Sequence, residues 1–182
     1  MAIHSIQLPG SGKLAPGYDE PFEMLHACHE RVHRMLGLLQ RLRRHVDAQG
    51  ADDQARQAAR DVMRYFDTAA PQHHLDEENH VIPRLAASGD PALAGLAAKL
   101  QDDHRAMEVA WSRARPLLQS LADGGLAAFD VDAHRAFQDF AALYAAHIES
   151  EESAAFPAAR AGMDEGAVQA MSHDMMRRRG VA

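Results

Sequence analysis

Two short strings in the sequence place a histidine four positions before a glutamate. HHLDEENHVIP begins at His73 and contains Glu77, and HIESEESAAFP begins at His147 and contains Glu151. Residues four positions apart lie on the same face of an α-helix, so each string can present an imidazole and a carboxylate to one point. One such string usually forms a solvated ion pair worth about 0.2–0.5 kcal/mol. The same residue types also bind metal ions.

The two strings belong to an internal repeat. They align at an offset of 74 residues, histidine on histidine and glutamate on glutamate. Two further histidines, His29 and His104, lie 75 residues apart, each on the segment that precedes one of the strings. The chain is therefore interpreted as two helical hairpins, each with a histidine on its first helix and an HxxxE pair on its second.

Helix geometry predicts that the four histidines lie at one level. Because the rise is about 1.5 Å per residue, each of them lies roughly 26–31 Å from a bend of its hairpin. All four fall on the apolar stripes of their helices, which point into the core. Four imidazoles and two carboxylates in an apolar layer are costly to bury unless cations neutralise the carboxylates. The pattern therefore predicts a buried metal centre.

The types of ligand narrow the choice of metal. Imidazole and carboxylate without thiolate suit iron, manganese or zinc. Six ligands from four helices are too many for one tetrahedral zinc ion. We therefore expect two ions that favour octahedral coordination, with Glu77 and Glu151 as bridges, and zinc or manganese can occupy such a site in purified protein.

The elements that position these residues are predicted to be helices, since helix-forming residues are abundant and β-branched and aromatic residues are sparse. Asp52 and Asp90 are expected N-caps, with Gly89 as a C-cap and Pro91 at a first helical position. Long helices are expected at about 20–48, 52–87, 91–122 and 130–161, with a short fifth helix near 165–178. Short connections make neighbouring helices antiparallel, so the expected fold class is all-α, an up-down-up-down antiparallel four-helix bundle with a short C-terminal fifth helix.

Three regions follow from this interpretation. Residues 1–18 are expected to form an irregular N-terminal arm because they are rich in glycine and proline. Residues 19–162 form the bundle, and residues 163–182 form the C-terminal helix and tail.

Composition and charge exclude several classes of protein. The 182 residues are enough for one domain with a full core. The net charge of −7 gives no basis for nucleic-acid binding, and no apolar stretch approaches the length that spans a membrane. The first residues lack the pattern of a signal peptide, and a single cysteine, Cys28, fits a reducing compartment. We therefore expect a cytoplasmic protein that binds neither nucleic acid nor membrane.

Four strings together resemble a known family. HERVHRMLGLL, HHLDEENHVIPRL, DHRAMEVAW and HIESEESAAFP resemble the hemerythrin-like (HHE cation-binding) domain over about residues 20–160. The resemblance implies a non-haem di-iron centre that reversibly binds dioxygen or senses oxygen, nitric oxide or iron. The ligands that it implies are His29, His73, Glu77, His104, His147 and Glu151.

The sequence departs from the respiratory hemerythrin pattern in two places. Glu108 stands where that pattern has a second histidine on the third helix, and the fourth helix has Glu151 in place of an aspartate one position later. Some members carry an extra carboxylate directly after the histidine of the second helix, and His74 occupies that position as the expected seventh ligand. The roles of His33 and Glu108 stay open. Each can be a hydrogen-bonding partner of the ligands, an additional ligand or a surface group.

Three functions are compatible with these residues. The leading hypothesis is a protein that binds or senses dioxygen, or a related small ligand such as nitric oxide or peroxide, at a carboxylate-bridged centre of two iron ions. A second is a di-iron enzyme that turns over peroxide, nitric oxide or ferrous iron. A third is a metal-responsive regulatory or interaction module, with the fifth helix and the MMRRRG tail as its partner surface. Binding is favoured because no residue resembles a nucleophile, and the sequence identifies no protein or redox partner.

Overall fold

The chain is all-α in the computed structural model, which describes residues 17–181. The helices are α1 (Pro21–Gln49), α2 (Asp53–His80), α3 (Ile82–Ala86), α4 (Pro91–Ala122), α5 (Val131–Ser150), α6 (Phe156–Ala161) and α7 (Glu165–Arg178), and a π-helical segment, Glu151–Ala155, joins α5 to α6. The predicted all-α class and the predicted fifth helix are confirmed. Residues 1–16 of the expected N-terminal arm lie outside the described residues.

Aspartate caps start four of the helices. Asp52, Asp90, Asp130 and Asp164 each accept a hydrogen bond of 2.8 Å from a backbone N–H in the first turn of the following helix. Such a bond satisfies one of the N–H groups that a helix leaves without an internal partner. Gly89 turns the chain between α3 and α4 with a φ of +79°, a conformation that glycine adopts without strain. The predicted N-caps Asp52 and Asp90 are confirmed, whereas the prediction of Gly89 as a C-cap is wrong, because α3 ends at Ala86 and its C-cap is Ala87.

Prolines divide two of the long helices that the sequence predicted as continuous. The helix expected over 52–87 ends at His80 and resumes as α3, and the helix expected over 130–161 passes into the π-helical segment after Ser150. Pro83 and Pro157 follow these breaks, and proline has no N–H to donate to the carbonyl four residues before it. The sequence contained the signal for both breaks, since a proline follows each HxxxE pair by six residues.

The four long helices contact one another in a ring. α1 packs on α2, α2 on α4, α4 on α5, and α5 lies against α1, while α7 packs on α1 and α2. Their apolar side chains form two clusters. The first cluster is centred on Phe66, Leu118 and Phe137, and the second on Leu25 and Phe156.

The two clusters are separated along the helices by a polar layer. On α4, Leu100 belongs to the second cluster and Met107 to the first, with buried His104 between them. The same order holds on α1, along α2 and the α3 segment that follows it, and along α5 and its π-helical continuation. The layer therefore lies across the helical core, and none of the helices within residues 17–181 has the length and apolar character that a membrane span requires.

Candidate metal centre

Six of the seven expected ligands meet in the polar layer. Their donor atoms form two groups, in each of which all atoms lie within 4.8 Å of one another. The groups are His29, His73, Glu77 and Glu151, and Glu77, His104, His147 and Glu151. All six side chains are buried, with at most 3% of their surface exposed. The two glutamates belong to both groups.

Glu77 faces a histidine of each group. Its Oε1 lies 3.2 Å from Nε2 of His73, and its Oε2 lies 3.4 Å from Nε2 of His104. His73 precedes Glu77 by one helical turn on α2, whereas His104 reaches the carboxylate from α4. One carboxylate thus connects two donor groups that stand on different helices.

Glu151 repeats this arrangement from the opposite hairpin. Its Oε1 lies 3.1 Å from Nε2 of His147, and its Oε2 lies 3.1 Å from Nε2 of His29. Glu151 is the first residue of the π-helical segment, and His147 lies one turn before it on α5. Each of the two carboxylates therefore faces histidines of both donor groups.

The inward atoms of this layer have no hydrogen bonds of acceptable geometry within residues 17–181. They are Nε2 of His29, His104 and His147, and both carboxylate oxygens of Glu77 and Glu151. Buried polar groups without partners are costly, and native proteins rarely retain them without an ion or water to satisfy them. Imidazole nitrogens and carboxylate oxygens are ligands for iron, manganese and zinc. The residues present therefore fit a metal centre.

Carboxylates from outside the layer bind the second nitrogen of three histidines. The pairs are His29 Nδ1 with Glu152 at 2.8 Å, His104 Nδ1 with Glu78 at 2.9 Å, and His147 Nδ1 with Asp103 at 3.2 Å. Such a partner holds the proton on Nδ1 and leaves the lone pair of Nε2 directed inward. The sequence pattern had offered His33 and Glu108 for this role, but neither makes these hydrogen bonds. The sequence signal for these partners is the pair of adjacent glutamates in each HxxxEE string. The second glutamate of each pair, Glu78 or Glu152, binds a histidine on another helix.

The pKa values of Glu77 and Glu151 are shifted in opposite directions. Burial raises the pKa of Glu77 well above its ordinary value, and the nearby charge of Glu151 raises it further. Burial also opposes ionisation of Glu151, but the imidazoles of His147 and His29 overcome that effect and hold its pKa below the ordinary value. Burial lowers the pKa of His73, which keeps its imidazole neutral as metal binding requires.

His74 lies beside the layer rather than within it. Its ring stacks on His104, with ring centroids 4.1 Å apart and an interplanar angle of 10°. Its nitrogens belong to neither group of donor atoms. Burial lowers its pKa to about 3, so the imidazole is neutral.

A pocket of about 240 Å³ opens next to His74. It lies between α2 and α4 and is mainly apolar. Its lining residues are Phe66, Ala70, Pro71, His74, Leu75, Glu78, Met107, Glu108, Trp111 and Tyr144. Since His74 stacks on His104, this pocket extends from the surface to the edge of the polar layer.

An all-helical domain with a buried layer of histidines and glutamates is a cation-binding architecture. Residues 20–159 match the family model of the hemerythrin HHE cation-binding domain. The chain belongs to this family. It is also similar to an uncharacterized protein of Haemophilus influenzae, with 29% identity over 135 residues, which cover 74% of this chain and 76% of that protein.

Proposed function

We propose that this protein holds two metal ions, iron in the cell, and binds or senses dioxygen or a related small ligand such as nitric oxide or peroxide. The observation that carries the proposal is the position of Glu77 and Glu151. Each carboxylate faces a histidine of both donor groups, and neither has a hydrogen bond of acceptable geometry to the residues described. The family match supports the metal centre.

The ligand set that we propose divides between the two ions. His29 and His73 would hold one ion, His104 and His147 would hold the other, and Glu77 and Glu151 would each supply ligand oxygens to both. Iron in such a set would supply reversible redox chemistry and coordination positions that the protein leaves free. We further propose that the four long helices form the antiparallel up-down-up-down bundle, since their contacts form a ring.

His74 is the proposed seventh ligand. Its ring lies between the pocket and His104, so it is the first imidazole that a molecule entering from the pocket meets. Its nitrogens lie outside the two donor groups, and ligation therefore requires the ring to turn away from the stack on His104.

The pocket suits a small uncharged ligand. Phe66, Met107, Trp111 and Tyr144 give it an apolar wall, and Phe140 packs behind Trp111 with ring centroids 5.0 Å apart. An apolar wall admits a small gas molecule and disfavours water at the edge of the layer. These residues exclude water, while the outer carboxylates orient the imidazoles.

Metal analysis and spectroscopy test the proposal. Protein purified from iron-fed cells should contain two irons per chain, and azide should produce a new charge-transfer absorption band. Sustained oxygen evolution from peroxide would instead indicate turnover. A folded chain without metal after growth in iron-rich medium would contradict the proposal.

A further inference from the structure

The C-terminal helix is held against α2 by a buried carboxylate. The Asp76 side chain is 0% exposed and directly precedes Glu77. Arg178 donates to Asp76 Oδ1 at 2.5 Å, and Arg179 donates to Oδ2 at 2.5 Å and to Oδ1 at 3.1 Å. Two guanidinium groups therefore compensate one carboxylate that has no access to water.

Further contacts tie α7 to the same end of α2. His80 Nε2 lies 2.9 Å from Oδ2 of Asp174, and that oxygen also accepts from Nε of Arg178 at 2.8 Å. Met171 and Met175 are buried in the second apolar cluster. The helix is therefore packed into the protein, and two of the arginines expected to face a partner bind Asp76 of the same chain instead.

The tethered part of α2 carries two of the proposed ligands. His73 and Glu77 lie in the last two turns of α2, which ends at His80. Helix ends open more readily than helix interiors because their last carbonyls lack intrahelical partners. α7 binds Asp76 and His80, one residue before Glu77 and three residues after it.

We propose that α7 is a clamp that retains the metal ions, with Arg178 and Arg179 as positioning residues that act through Asp76 on Glu77. The proposal of a clamp depends on the proposed metal centre. The helix α7 itself lies outside the family match, which ends at residue 159. Without the two guanidinium groups, Asp76 is an uncompensated buried charge and moves toward water. Because Asp76 and Glu77 belong to the same helical turn, that movement draws Glu77 out of the layer.

The rate of zinc release tests the clamp. The full chain is loaded with zinc and mixed with excess chromogenic chelator, below the unfolding temperature of every variant. We expect Arg178→Gln/Arg179→Gln to release zinc about tenfold faster than the wild type, at the lower end of what outer partners contribute to metal sites. Arg64→Gln is the matched control because its exposed guanidinium binds Asp61 on α2 and has no part in the contacts of α7, and it should release zinc at the wild-type rate.

Two further variants separate positioning from general stability. Arg178→Lys/Arg179→Lys keeps both charges and should recover most of the wild-type retention. Leu118→Ala creates a cavity in the first apolar cluster and should lower the unfolding temperature without faster zinc release.

The outcomes separate the clamp from the metal centre. If the double glutamine variant does not fold, Arg179→Gln replaces it, since Arg178 then still holds Asp76. Release at the wild-type rate by the folded variant overturns the clamp and leaves the metal centre intact. A wild-type chain that takes up neither zinc nor iron overturns the proposed centre and the clamp with it.

Discussion

The two nitrogens of His29 have different partners. Nδ1 bonds Glu152 at 2.8 Å, whereas Nε2 lies 3.1 Å from Glu151 in the buried layer. In His104 and His147 too, Nδ1 bonds a carboxylate outside the layer and Nε2 faces a glutamate within it. Because the outer carboxylate accepts the Nδ1 proton, the inner nitrogen keeps the lone pair that a metal ion needs. The orientation of each imidazole is thus established without a metal.

Glu77→Gln should abolish metal binding and yet leave the metal-free protein at least as stable as the wild type. The reason is that the buried Glu77 carboxylate has no hydrogen bond of acceptable geometry to the residues described, so its removal relieves a cost when no cation is present. Metal content and thermal unfolding in the presence of a chelator measure the two effects. Glu165→Gln, an exposed change on α7, should alter neither. Full metal content in Glu77→Gln would rule out Glu77 as a bridge.

Glu152→Gln should weaken metal binding by about tenfold, because His29 loses the charged acceptor that orients its ring. A competition titration with a chelator of known affinity measures the change. Glu149→Gln lies nearby on an exposed position of α5 and is the control. Equal affinities for the two variants would show that Glu152 does not influence the site.

At the scale of elements, the π-helical segment sets the position of Phe156. The N–H of Phe156 bonds the carbonyl of Glu151, five residues earlier, and Pro157 has no N–H to form the next α-helical bond. Phe156 stacks on His29 with ring centroids 5.4 Å apart and an interplanar angle of 14°. The widened turn therefore covers one histidine of the layer with an apolar ring.

Deleting Ser153 should convert this segment into a regular α-helix. Phe156 would then follow Glu151 by four positions, so its N–H keeps the same carbonyl acceptor and its ring stays on His29. We expect a metal content close to that of the wild type. Deleting exposed Ala145, in the regular part of α5, should instead rotate Glu151 by about 100° out of the layer and lower both the metal content and the unfolding temperature. A metal-free Ser153 deletion would show that the site requires the π-helical geometry.

The long helices were the most predictable elements. Their apolar periodicity and their aspartate caps are local properties, and Asp52 and Asp90 cap the helices that were expected from the sequence. The π-helical segment was not predicted, because a proline near a helix end is compatible with a kink, a break or a widened turn. Packing against the neighbouring helices selects among them.

At the scale of the whole molecule, the polar layer is enclosed between the two apolar clusters and couples metal binding to folding. A metal ion that binds only the folded chain stabilises it, by about 2.7 kcal/mol when free metal is 100-fold above the dissociation constant. The unfolding temperature should therefore rise with zinc concentration and fall when a chelator is added. Magnesium, which prefers oxygen ligands, should produce a much smaller rise at the same concentration. An unfolding temperature that is independent of zinc would mean that the layer binds no metal in the folded state.

The all-α class, the N-caps Asp52 and Asp90 and the six side chains that meet in the polar layer could be predicted from the sequence, because each follows from spacing along single helices and from the common helical rise. The sequence did not predict which carboxylates bind the outer nitrogens of the histidines, where His74 lies, or how α7 docks on Asp76. These contacts join residues between 26 and 123 positions apart. They depend on the rotation and offset of packed helices, which the periodicity of one helix does not encode.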